Sequence, residues 1–528
     1  MANPFREVPF IRDPETPLLR LGPTSYFRLR QAFEGVHCFG MIGGGKSTGP
    51  GKTLAHAYLR AGMGGIVLVA KSEEVQTWID YARQTNRSHQ LVIFDERRAF
   101  NFIAYELARQ GFKGLGSVIE CLMQVLAAAD RVSPGAGGKE PEPFWEQAIR
   151  QLLNYCIPLL YSAWGTVTVA SVIDFVTSAA TEGKQYLDPK FVEWSFAART
   201  IRQVIDAPKV PIADGYQQTL TDYWAEQFTA IPEKTRGNIT ISLSTRLDRF
   251  RHGRMRDCFC GRTDIVPEMT FHGAIIVMAM PTLTWNEDGA VGQVLFKYMW
   301  QRAVLARNEL AQQHRERPVF LWADEAQYFV AESDHAFLST CRASRAAVVY
   351  LTQTLPTYNA QLGPGKQDAA EALIGKFATQ LFCANACAKT NKYASDLLGR
   401  SLQQRANTGR STGWNTNRGM NSGANTGQGA SSGGGGSYGE SAQVSHNYGS
   451  SSNSGNSWGD SVGRGRSENW SSGSSEQMDN ILEPRFFAEG LLTGGPRNRN
   501  LVSCVWFKAG TRFADAGDNN FLIARFRQ

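Results

Sequence analysis

The chain has 528 residues, 42% hydrophobic and 20% charged, a composition that indicates a globular protein with a large core and two or three folding units. A net charge of +7 and a pI near 8.9 favour a polyanionic partner. Nine scattered cysteines argue against a disulfide framework and for a reduced cytosolic protein, and neither Cys258 with Cys260 nor Cys383 with Cys387 has the second ligand pair that a zinc site needs.

The N-terminal stretch, residues 1–34, carries charges and prolines where a signal peptide would need an apolar core. Because turn residues dominate it, we interpret it as a lead-in to the main domain. The longest uncharged run, residues 151–173, contains Pro158, Gly165 and several other polar or small residues. Two soluble helices meeting near Gly165 explain this run better than a membrane span.

Short apolar runs predict a parallel α/β sheet. The first strands are predicted at 36–39, 65–70 and 91–95, with a helix at 53–61 between the first two. Further runs are nearly continuous in apolar residues, as is typical of strands buried on both faces of a doubly wound sheet; they lie at 273–280, 317–324, 346–351 and 379–383.

Two segments depart from this alternation. Residues 105–231 consist of long amphipathic stretches, which predict an all-helical inserted domain. Residues 404–475 are dominated by Gly, Ser and Asn, a composition that predicts a disordered loop because it buries too little apolar surface to offset the entropy of ordering. The α/β domain is thus predicted to comprise residues 35–104, 232–403 and 476–528.

Residues 40–47, GMIGGGKS, fit the pattern G-x-x-x-x-G-K-[ST] directly after a predicted strand. Such a loop closes backbone N–H groups around phosphate oxygens, with Lys46 reaching the β and γ phosphates and Ser47 ligating Mg²⁺. A second Gly-Lys-Thr at 51–53 would put Lys46 where the first glycine belongs, so the first register is preferred. Residues 49–51, Gly-Pro-Gly, weaken the start of the following helix, and an extended loop there is an alternative. The predicted ATP-binding residues are Gly40, Gly43, Gly44, Gly45, Lys46, Ser47 and Thr48.

A second predicted part of the site is the segment PVFLWADE, residues 318–325, an apolar strand that ends in two carboxylates. In P-loop enzymes the first carboxylate holds Mg²⁺ through water and the second polarises the attacking water. We assign these roles to Asp324 and Glu325.

Another predicted strand ends at Leu351-Thr352-Gln353-Thr354, where Gln353 could sense the γ phosphate or position water. Arg342 and Arg345 lie just before that strand. Either could reach the ATP of a neighbouring subunit, because ring ATPases use an arginine in trans to stabilise charge on the transferred phosphoryl group. A surface or salt-bridge role remains the alternative for each arginine.

Several motifs together resemble the type IV secretion coupling proteins, the TraD/TraG/TrwB group of conjugative DNA-transfer ATPases within the FtsK/HerA superfamily. They are GMIGGGKSTGPGKT, GGIVLVAKSEEVQTW, FLWADEAQYFV, VVYLTQT, KTNKYASDLLGR and LLTGGPRNRN with the terminal FRQ. The resemblance covers most of the chain.

The resemblance implies a RecA-like P-loop NTPase with a parallel twisted sheet, an inserted helical domain that faces the relaxosome or substrate, and assembly into a six-membered ring that pumps DNA. By matching position, Lys46 and Ser47 are the P-loop pair, Asp324 and Glu325 the acidic motif, Gln353 the sensor and Arg342 the candidate arginine finger. ATP and Mg²⁺ are the implied cofactors. The implied partners are DNA, relaxosome or secretion-channel proteins and further copies of this chain.

The function expected from the sequence is therefore ATP-driven movement of DNA in conjugation or type IV secretion. An ATPase for protein export or phage defence, and a nucleotide-dependent scaffold, are the alternatives. Most members of the group carry N-terminal transmembrane helices, whereas none is visible in this sequence. We therefore expect a cytoplasmic location, with recruitment to the inner face of the cell membrane as the alternative.

Overall fold

Strands and helices alternate along most of the chain in a computed structural model that describes residues 8–132, 143–363, 365, 367–419, 430–431, 449–450 and 461–528. The chain divides into two units, the first formed by Met1–Asn391 with Pro484–Gln528 and the second by Lys392–Glu483. The strands are β1 Pro17–Arg20, β2 Tyr26–Arg28, β3 Val36–Phe39, β4 Gly64–Leu68, β5 Leu91–Phe94, β6 Ile275–Met278, β7 Val319–Ala323, β8 Ala346–Thr352, β9 Thr379–Phe382, β10 Arg400–Gly419, β11 Ala430–Ser431, β12 Gly449–Ser450, β13 Ser461–Asn480, β14 Leu501–Lys508 and β15 Phe521–Arg527.

Nine strands of the first unit form one sheet in the order β15-β14-β9-β3-β8-β7-β4-β6-β5. The seven strands from β9 to β5 are parallel, whereas β14 pairs antiparallel with both β9 and β15. The predicted parallel α/β sheet is therefore confirmed, with an antiparallel hairpin added at one side. Because β3, β8 and β7 are neighbours, the segments that follow them emerge side by side at the carboxyl edge of the sheet.

Helices cover both faces of the sheet. In chain order, the helices of the described residues are α1 Leu29–Ala32, α2 Lys52–Arg60, α3 Ser72–Gln84, α4 Phe102–Gln110, α5 Leu115–Val132, α6 Pro143–Trp164, α7 Val169–Thr177, α8 Pro189–Trp194, α9 Phe196–Asp206, α10 Asp214–Asp222, α11 Phe228–Ala230, α12 Glu233–Leu247, α13 Gly253–Phe259, α14 Thr282–Ala306, α15 Gln312–Arg315, α16 Ser333–Thr340, α17 Leu355–Leu362, α18 Gln367–Ile374, α19 Ala388–Leu398 and α20 Pro484–Glu489.

Aromatic side chains join these helices to the sheet. On one face, Trp78 of α3 stacks on Phe320 of β7 with ring centroids 5.7 Å apart. Toward the side of the sheet where β5 lies, Phe296 of α14 meets Phe94 edge to face at 5.4 Å. Every residue of β3, β4, β6, β7, β8 and β9 is buried, which explains why these strands are nearly continuous in apolar residues.

The segment between β5 and β6 is helical, and its helices run from Phe102 to Phe259, beyond the boundary predicted at 231. Leu115–Val132 packs against α14, so this segment is tied to a helix that also covers the sheet. One helical stretch, Phe102–Asp130, has the length and apolarity of a membrane span, but 61% of its most apolar window is buried inside the protein. Helices α6 and α7 have the length and apolarity of a span only when taken together, as a pair bent by 111°.

The second unit differs from the disordered loop predicted for residues 404–475. Strands β10 and β13 pair antiparallel along their full lengths, from Arg400 opposite Asn480 to Gly419 opposite Ser461. The prediction rested on the scarcity of apolar residues, but backbone pairing joins these two stretches. Residues 420–429, 432–448 and 451–460 of the predicted loop lie outside the described residues.

Candidate nucleotide-binding site

The glycine-rich loop begins where β3 ends. Gly40 N donates to the carbonyl oxygen of Thr352 at 3.2 Å, and Met41 N donates to that of Ala384 at 2.9 Å. These bonds attach the loop to the ends of the two strands that flank β3. The loop is thereby held at the carboxyl edge of the sheet, where helix dipoles and backbone N–H groups bind anions in parallel α/β folds.

Glycine is required at particular positions of this loop. Gly43 and Gly45 have positive φ angles of 75° and 82°, which residues with a Cβ rarely adopt. A Cβ on Gly45 would lie 2.6 Å from the side chain of Val502, and one on Gly44 would lie 2.7 Å from the carbonyl oxygen of Ala384. The backbone of the loop therefore lies too close to its neighbours, or in too unusual a conformation, for a larger residue at these positions.

The Gly-Pro-Gly sequence after the loop is helical. Residues Ser47–Gly51 form one wide π-helical turn, in which Gly51 N donates to the carbonyl oxygen of Lys46 at 2.9 Å, and α2 continues from Lys52. The wide turn accommodates Pro50, which has no N–H to donate. The extended loop that the sequence left open at residues 49–51 is therefore absent.

Lys46 and the two predicted carboxylates meet at the carboxyl edge. The ammonium Nζ of Lys46 lies 3.2 Å from Glu325 Oε1 and 3.8 Å from Asp324 Oδ1. Burial alone would lower the pKa of Lys46, but attraction to Asp324 and Glu325 outweighs it and raises that pKa. At Glu325 burial acts to raise the pKa, and Lys46 together with two glutamine amides more than reverses it. Both groups are therefore charged at neutral pH.

Ser47 and Asp324 form the predicted magnesium pair. The hydroxyl of Ser47 donates to Asp324 Oδ2 at 2.5 Å, so both side chains face the same point beside the loop. A hydroxyl and a carboxylate are oxygen ligands that suit Mg²⁺, which usually completes its octahedron with waters and phosphate oxygens. Among the described residues, no group of three or more His, Cys, Asp or Glu could hold a metal ion. The donor set thus fits Mg²⁺ held jointly by the chain and a bound phosphate.

Glu325 has an unusual backbone conformation. Its φ of 52° and ψ of 49° lie in the left-handed region, which is uncommon for a residue other than glycine, Asn or Asp. Strain of this kind persists only where surrounding contacts determine it, and it is frequent at active sites. Here Asp324 Oδ1 accepts a hydrogen bond from Glu325 N at 3.0 Å, which helps to hold the two neighbouring carboxylates at different orientations.

Two glutamines hold the Glu325 carboxylate. Gln353, predicted to sense the γ phosphate or position water, has its Nε2 3.1 Å from Oε1 and 3.2 Å from Oε2. Gln327 was not predicted; its Nε2 donates to Oε2 at 3.0 Å, while its Oε1 accepts from Thr352 Oγ1 at 2.7 Å. Its position three residues after Asp324, within the same motif, was the available signal.

Two further residues at this edge were not predicted. Lys71 follows β4, and its Nζ lies 3.7 Å from Glu325 Oε1. Glu74 opens α3, and burial and repulsion by Asp324 raise its pKa to about 8. Their signal in the sequence was their location just after a predicted strand, where the carboxyl ends of neighbouring strands meet. The predicted Thr48 accepts a hydrogen bond at its hydroxyl from Gln528 Nε2 at 2.8 Å.

The two candidate arginine fingers lie away from this cluster within one chain. Both precede β8 and so lie at the amino edge of the sheet. Arg342 is 3.7 Å from Glu34, and its side chain is 68% exposed. Arg345 donates to the carbonyl oxygen of Arg12 at 2.5 Å and lies over the ring of Phe33. Neither arginine therefore acts on the nucleotide loop of its own chain.

The chain is similar to known proteins in one family model and in several solved structures. Residues 318–433 match the family model for the TraM recognition site of TraD and TraG. The chain is similar to the bacterial conjugative coupling protein TrwBdeltaN70 in its unbound monoclinic form, with 13% identity, a TM-score of 0.51, and coverage of 94% of this chain and 84% of that one. No curated protein sequence matches the chain.

TrwB in complex with the GTP analogue GDPNP is also similar, at 13% identity and a TM-score of 0.50, with 95% of this chain and 87% of that one covered. TrwB in complex with ADP and Mg²⁺ has 14% identity and a TM-score of 0.49, with coverage of 94% and 85%. The match to the TraD and TraG family model confirms the predicted resemblance to this group, and the two similarities at TM-scores of 0.51 and 0.50 confirm the RecA-like P-loop fold predicted from the sequence.

Proposed function

We propose that this chain, which resembles the TraD/TraG/TrwB coupling proteins, hydrolyses ATP with Mg²⁺ and uses the energy to move DNA in conjugative transfer or type IV secretion. The observation that carries the proposal is the convergence of Lys46, Ser47, Asp324 and Glu325 at one point of the sheet edge. That arrangement provides a phosphate-binding loop, a magnesium pair and a buried carboxylate within hydrogen-bonding reach of one another.

In this proposal, Lys46 exchanges partners when nucleotide binds. In this structure, without nucleotide, the Lys46 ammonium lies 3.2 Å from Glu325 Oε1 and neutralises that carboxylate. Phosphate oxygens between the loop and the acidic pair would attract Lys46, and Glu325 would then become the stronger proton acceptor that an attacking water needs. Mg²⁺, when bound, supplies positive charge to the phosphate oxygens.

Gln353 and Gln327 orient the base. Because both donate to the Glu325 carboxylate, they fix the plane of that carboxylate. Gln353 is the more exposed of the two glutamines. Its main-chain carbonyl oxygen accepts a hydrogen bond from Asn385 Nδ2 at 2.7 Å, which links the end of β8 to the end of β9. Gln353 is therefore suited to respond to the γ phosphate, as proposed for it from the sequence.

Several observations support DNA and relaxosome proteins as partners. TrwB is named a conjugative coupling protein, and the model that matches residues 318–433 is described by its recognition of TraM. The pI of 8.9 also favours a polyanion. We further propose a ring of six copies, by analogy with the group, in which Arg342 of one copy approaches the nucleotide of the next. The Arg342 side chain is 68% exposed and makes one surface ion pair with Glu34, whereas Arg345 is held by Arg12 and Phe33.

The decisive experiment measures the rate of ATP hydrolysis without DNA, with single-stranded DNA and with duplex DNA, together with particle mass in the presence of ATP. We expect hydrolysis that DNA stimulates and a mass of several copies. Hydrolysis that DNA leaves unchanged would support the alternative substrates, protein export or phage defence.

Glu325→Gln keeps the shape and hydrogen bonds of the side chain and removes its basicity. We expect it to bind ATP and to hydrolyse it about 10²- to 10⁴-fold more slowly. Unchanged turnover in this variant would support the nucleotide-dependent scaffold instead.

A further inference from the structure

Helix α14 carries three buried polar side chains on one face. Gln293, Lys297 and Gln301 follow one another at intervals of four residues, the spacing that puts helical side chains one above the next. Gln293 and Lys297 are fully buried, and Gln301 is 3% exposed. Because buried polar groups are costly unless they are hydrogen-bonded, the partners of these three side chains show what the helix holds in place.

Gln293 attaches α14 to the carboxyl edge of the sheet. Its Oε1 accepts a hydrogen bond from Val69 N at 2.8 Å. Its Nε2 donates to the carbonyl oxygen of Val69 at 3.0 Å and to that of Met280 at 2.7 Å. Since Val69 lies just after β4 and Met280 just after β6, these bonds fix the helix relative to the ends of two strands.

Lys297, one turn further along α14, binds the segment that follows the acidic pair. Its Nζ donates to the carbonyl oxygen of Phe329 at 2.6 Å and to Asp334 Oδ1 and Oδ2 at 2.7 and 2.6 Å. The side chains of Lys297 and Asp334 are both fully buried. Asp334 also accepts from Gln301 Nε2 at 2.7 Å and from Ala331 N at 3.0 Å. The ion pair therefore attaches this segment to α14 at several points.

Phe329 is one short turn away from the Glu325 carboxylate. Ala326–Tyr328 form a single 3₁₀ turn, in which Tyr328 N donates to the carbonyl oxygen of Glu325 at 3.1 Å. The same turn carries Gln327, which donates to Glu325 Oε2. The left-handed backbone of Glu325 persists only where the surrounding structure supports it. Strand β7 supports one end of this turn, and Lys297 supports the other.

We propose that Lys297 is a positioning residue for ATP hydrolysis, an inference that rests on the proposed function for the identity of the reaction. Through the Phe329 carbonyl group and the Asp334 carboxylate, it fixes the turn that carries Gln327 and thereby the orientation of Glu325. A buried ion pair contributes little net stability, because desolvation of both charges offsets their attraction. Its effect here is on geometry, since several charge-assisted hydrogen bonds made together leave the turn few alternative arrangements.

The test removes both charges of the ion pair in the full chain. Lys297→Met alone would leave the Asp334 charge buried without its cation and would strongly destabilise the fold. Lys297→Met is therefore combined with Asp334→Asn, which is neutral and keeps an acceptor for Ala331 N. Arg307→Met is the matched control, because it replaces another buried cation, just after α14, that donates to backbone carbonyl oxygens ahead of β7 and β8.

The first measurement is the rate of ATP hydrolysis per folded molecule, with the folded fraction determined by circular dichroism. We expect the double variant to lower kcat about 10-fold and to leave KM for ATP near the wild-type value, because the glycine-rich loop is unchanged. Arg307→Met should keep the wild-type kcat. When Glu325→Gln is also present, the double variant should cause no further loss, because no base remains to be positioned. Wild-type kcat in the double variant, or a further 10-fold loss beside Glu325→Gln, would overturn the proposal.

The second measurement does not depend on hydrolysis, so it separates failure of this proposal from failure of the proposed function. Hydrogen exchange of the amides of residues 326–334, followed by mass spectrometry, should be at least about 10-fold faster in the double variant and unchanged in Arg307→Met. If exchange becomes faster but the wild type does not hydrolyse ATP, only the proposed function fails. If Glu325→Gln abolishes hydrolysis while the double variant exchanges and hydrolyses as the wild type does, only the positioning role fails.

Discussion

The two edges of the nine-stranded sheet both bury positively charged side chains, but the groups that these side chains contact differ. At the carboxyl edge, Lys46 is 7% exposed and faces the carboxylates of Asp324 and Glu325. At the amino edge, Arg87 and Arg307 are buried as deeply and donate to backbone carbonyl oxygens.

The carbonyl groups at the amino edge belong to the segments that lead into the strands. Arg87 donates to Leu59, to Met63 before β4 and to Gly273 before β6. Arg307 donates to the carbonyl oxygens of Arg317, before β7, and Ser344, before β8. Burial lowers the pKa of Arg87 to about 10 and that of Arg307 to about 9, but both remain charged at neutral pH.

This difference teaches which buried cations are structural and which can serve chemistry. A guanidinium that satisfies several backbone carbonyls cannot leave without exposing unpaired acceptors, so it fixes the geometry of the sheet. An ammonium paired with carboxylates can exchange them for phosphate oxygens of the same charge. The predictions that follow test this distinction, in order of decreasing effect.

The largest effect is expected from removing the cation of the carboxyl edge. Lys46→Ala should lower the rate of ATP hydrolysis by at least about 10²- to 10³-fold, the loss typical of one strong charge-stabilising donor. Glu325 keeps its two glutamine donors, so the variant should stay folded, as circular dichroism would check.

Lys52→Ala is the matched control, since Lys52 belongs to the second Gly-Lys-Thr and begins α2. We expect it to retain most of the activity. A loss at Lys52 equal to that at Lys46 would contradict the assigned register of the loop.

At the amino edge the corresponding change should act on stability. Arg307→Met keeps much of the apolar length of the side chain but leaves the carbonyl oxygens of Arg317 and Ser344 without their donor. We expect the free energy of unfolding to fall by about 3 kcal/mol, measured by urea denaturation. In the folded fraction the activity per molecule should be unchanged. A variant that is stable but inactive would break the distinction between the two edges.

The strands of the sheet could be predicted from the sequence because their signal is local. The apolar run at 36–39 corresponds to β3 Val36–Phe39, and that at 346–351 falls within β8 Ala346–Thr352. Burial on both faces leaves a continuous apolar run that needs no knowledge of the neighbouring strands. The glycine-rich loop is equally local, since its pattern follows from the backbone conformation it requires.

The site contacts and strand pairs that the sequence did not predict depend on which strands become neighbours. Lys71 reaches Glu325 because β4 and β7 are neighbours, an order that no local pattern encodes. Arg342 lies before β8, at the amino edge of its own chain, so the role predicted for it in trans depends on a neighbouring copy and stays a prediction. The pairing of β10 with β13 was not predicted because it depends on register between two stretches about 40 residues or more apart in the sequence.

A smaller effect is expected at Gln327, which connects Glu325 to Thr352. Gln327→Leu should lower kcat about 10-fold, equal to about 1.4 kcal/mol, because Glu325 loses one of the donors that orient it. KM for ATP should change little, since Gln327 acts through Glu325. Thr352→Val, which removes only the hydroxyl that orients Gln327, should have a weaker effect in the same direction. A raised KM with unchanged kcat would instead indicate a direct contact with nucleotide.

The smallest effect tests whether the cations of the carboxyl edge offset all of its carboxylates. Burial and repulsion by Asp324 raise the pKa of Glu74 from 4.5 to about 8. Between these values the folded protein holds a proton that the unfolded chain has released, so this group makes stability fall as pH rises from about 4.5 to 8.

Glu74→Gln stays neutral and should therefore flatten the loss of stability measured by urea denaturation between pH 6 and pH 8. Glu73→Gln, one position earlier on the exposed side of α3, is the matched control and should leave the pH dependence as it is in the wild type. Parallel curves for Glu74→Gln and the wild type would mean that Lys46 and Lys71 already neutralise this edge. In that case the carboxyl edge would already be balanced in charge, and the exchange of carboxylate for phosphate at Lys46 would have to overcome a fully satisfied ion pair.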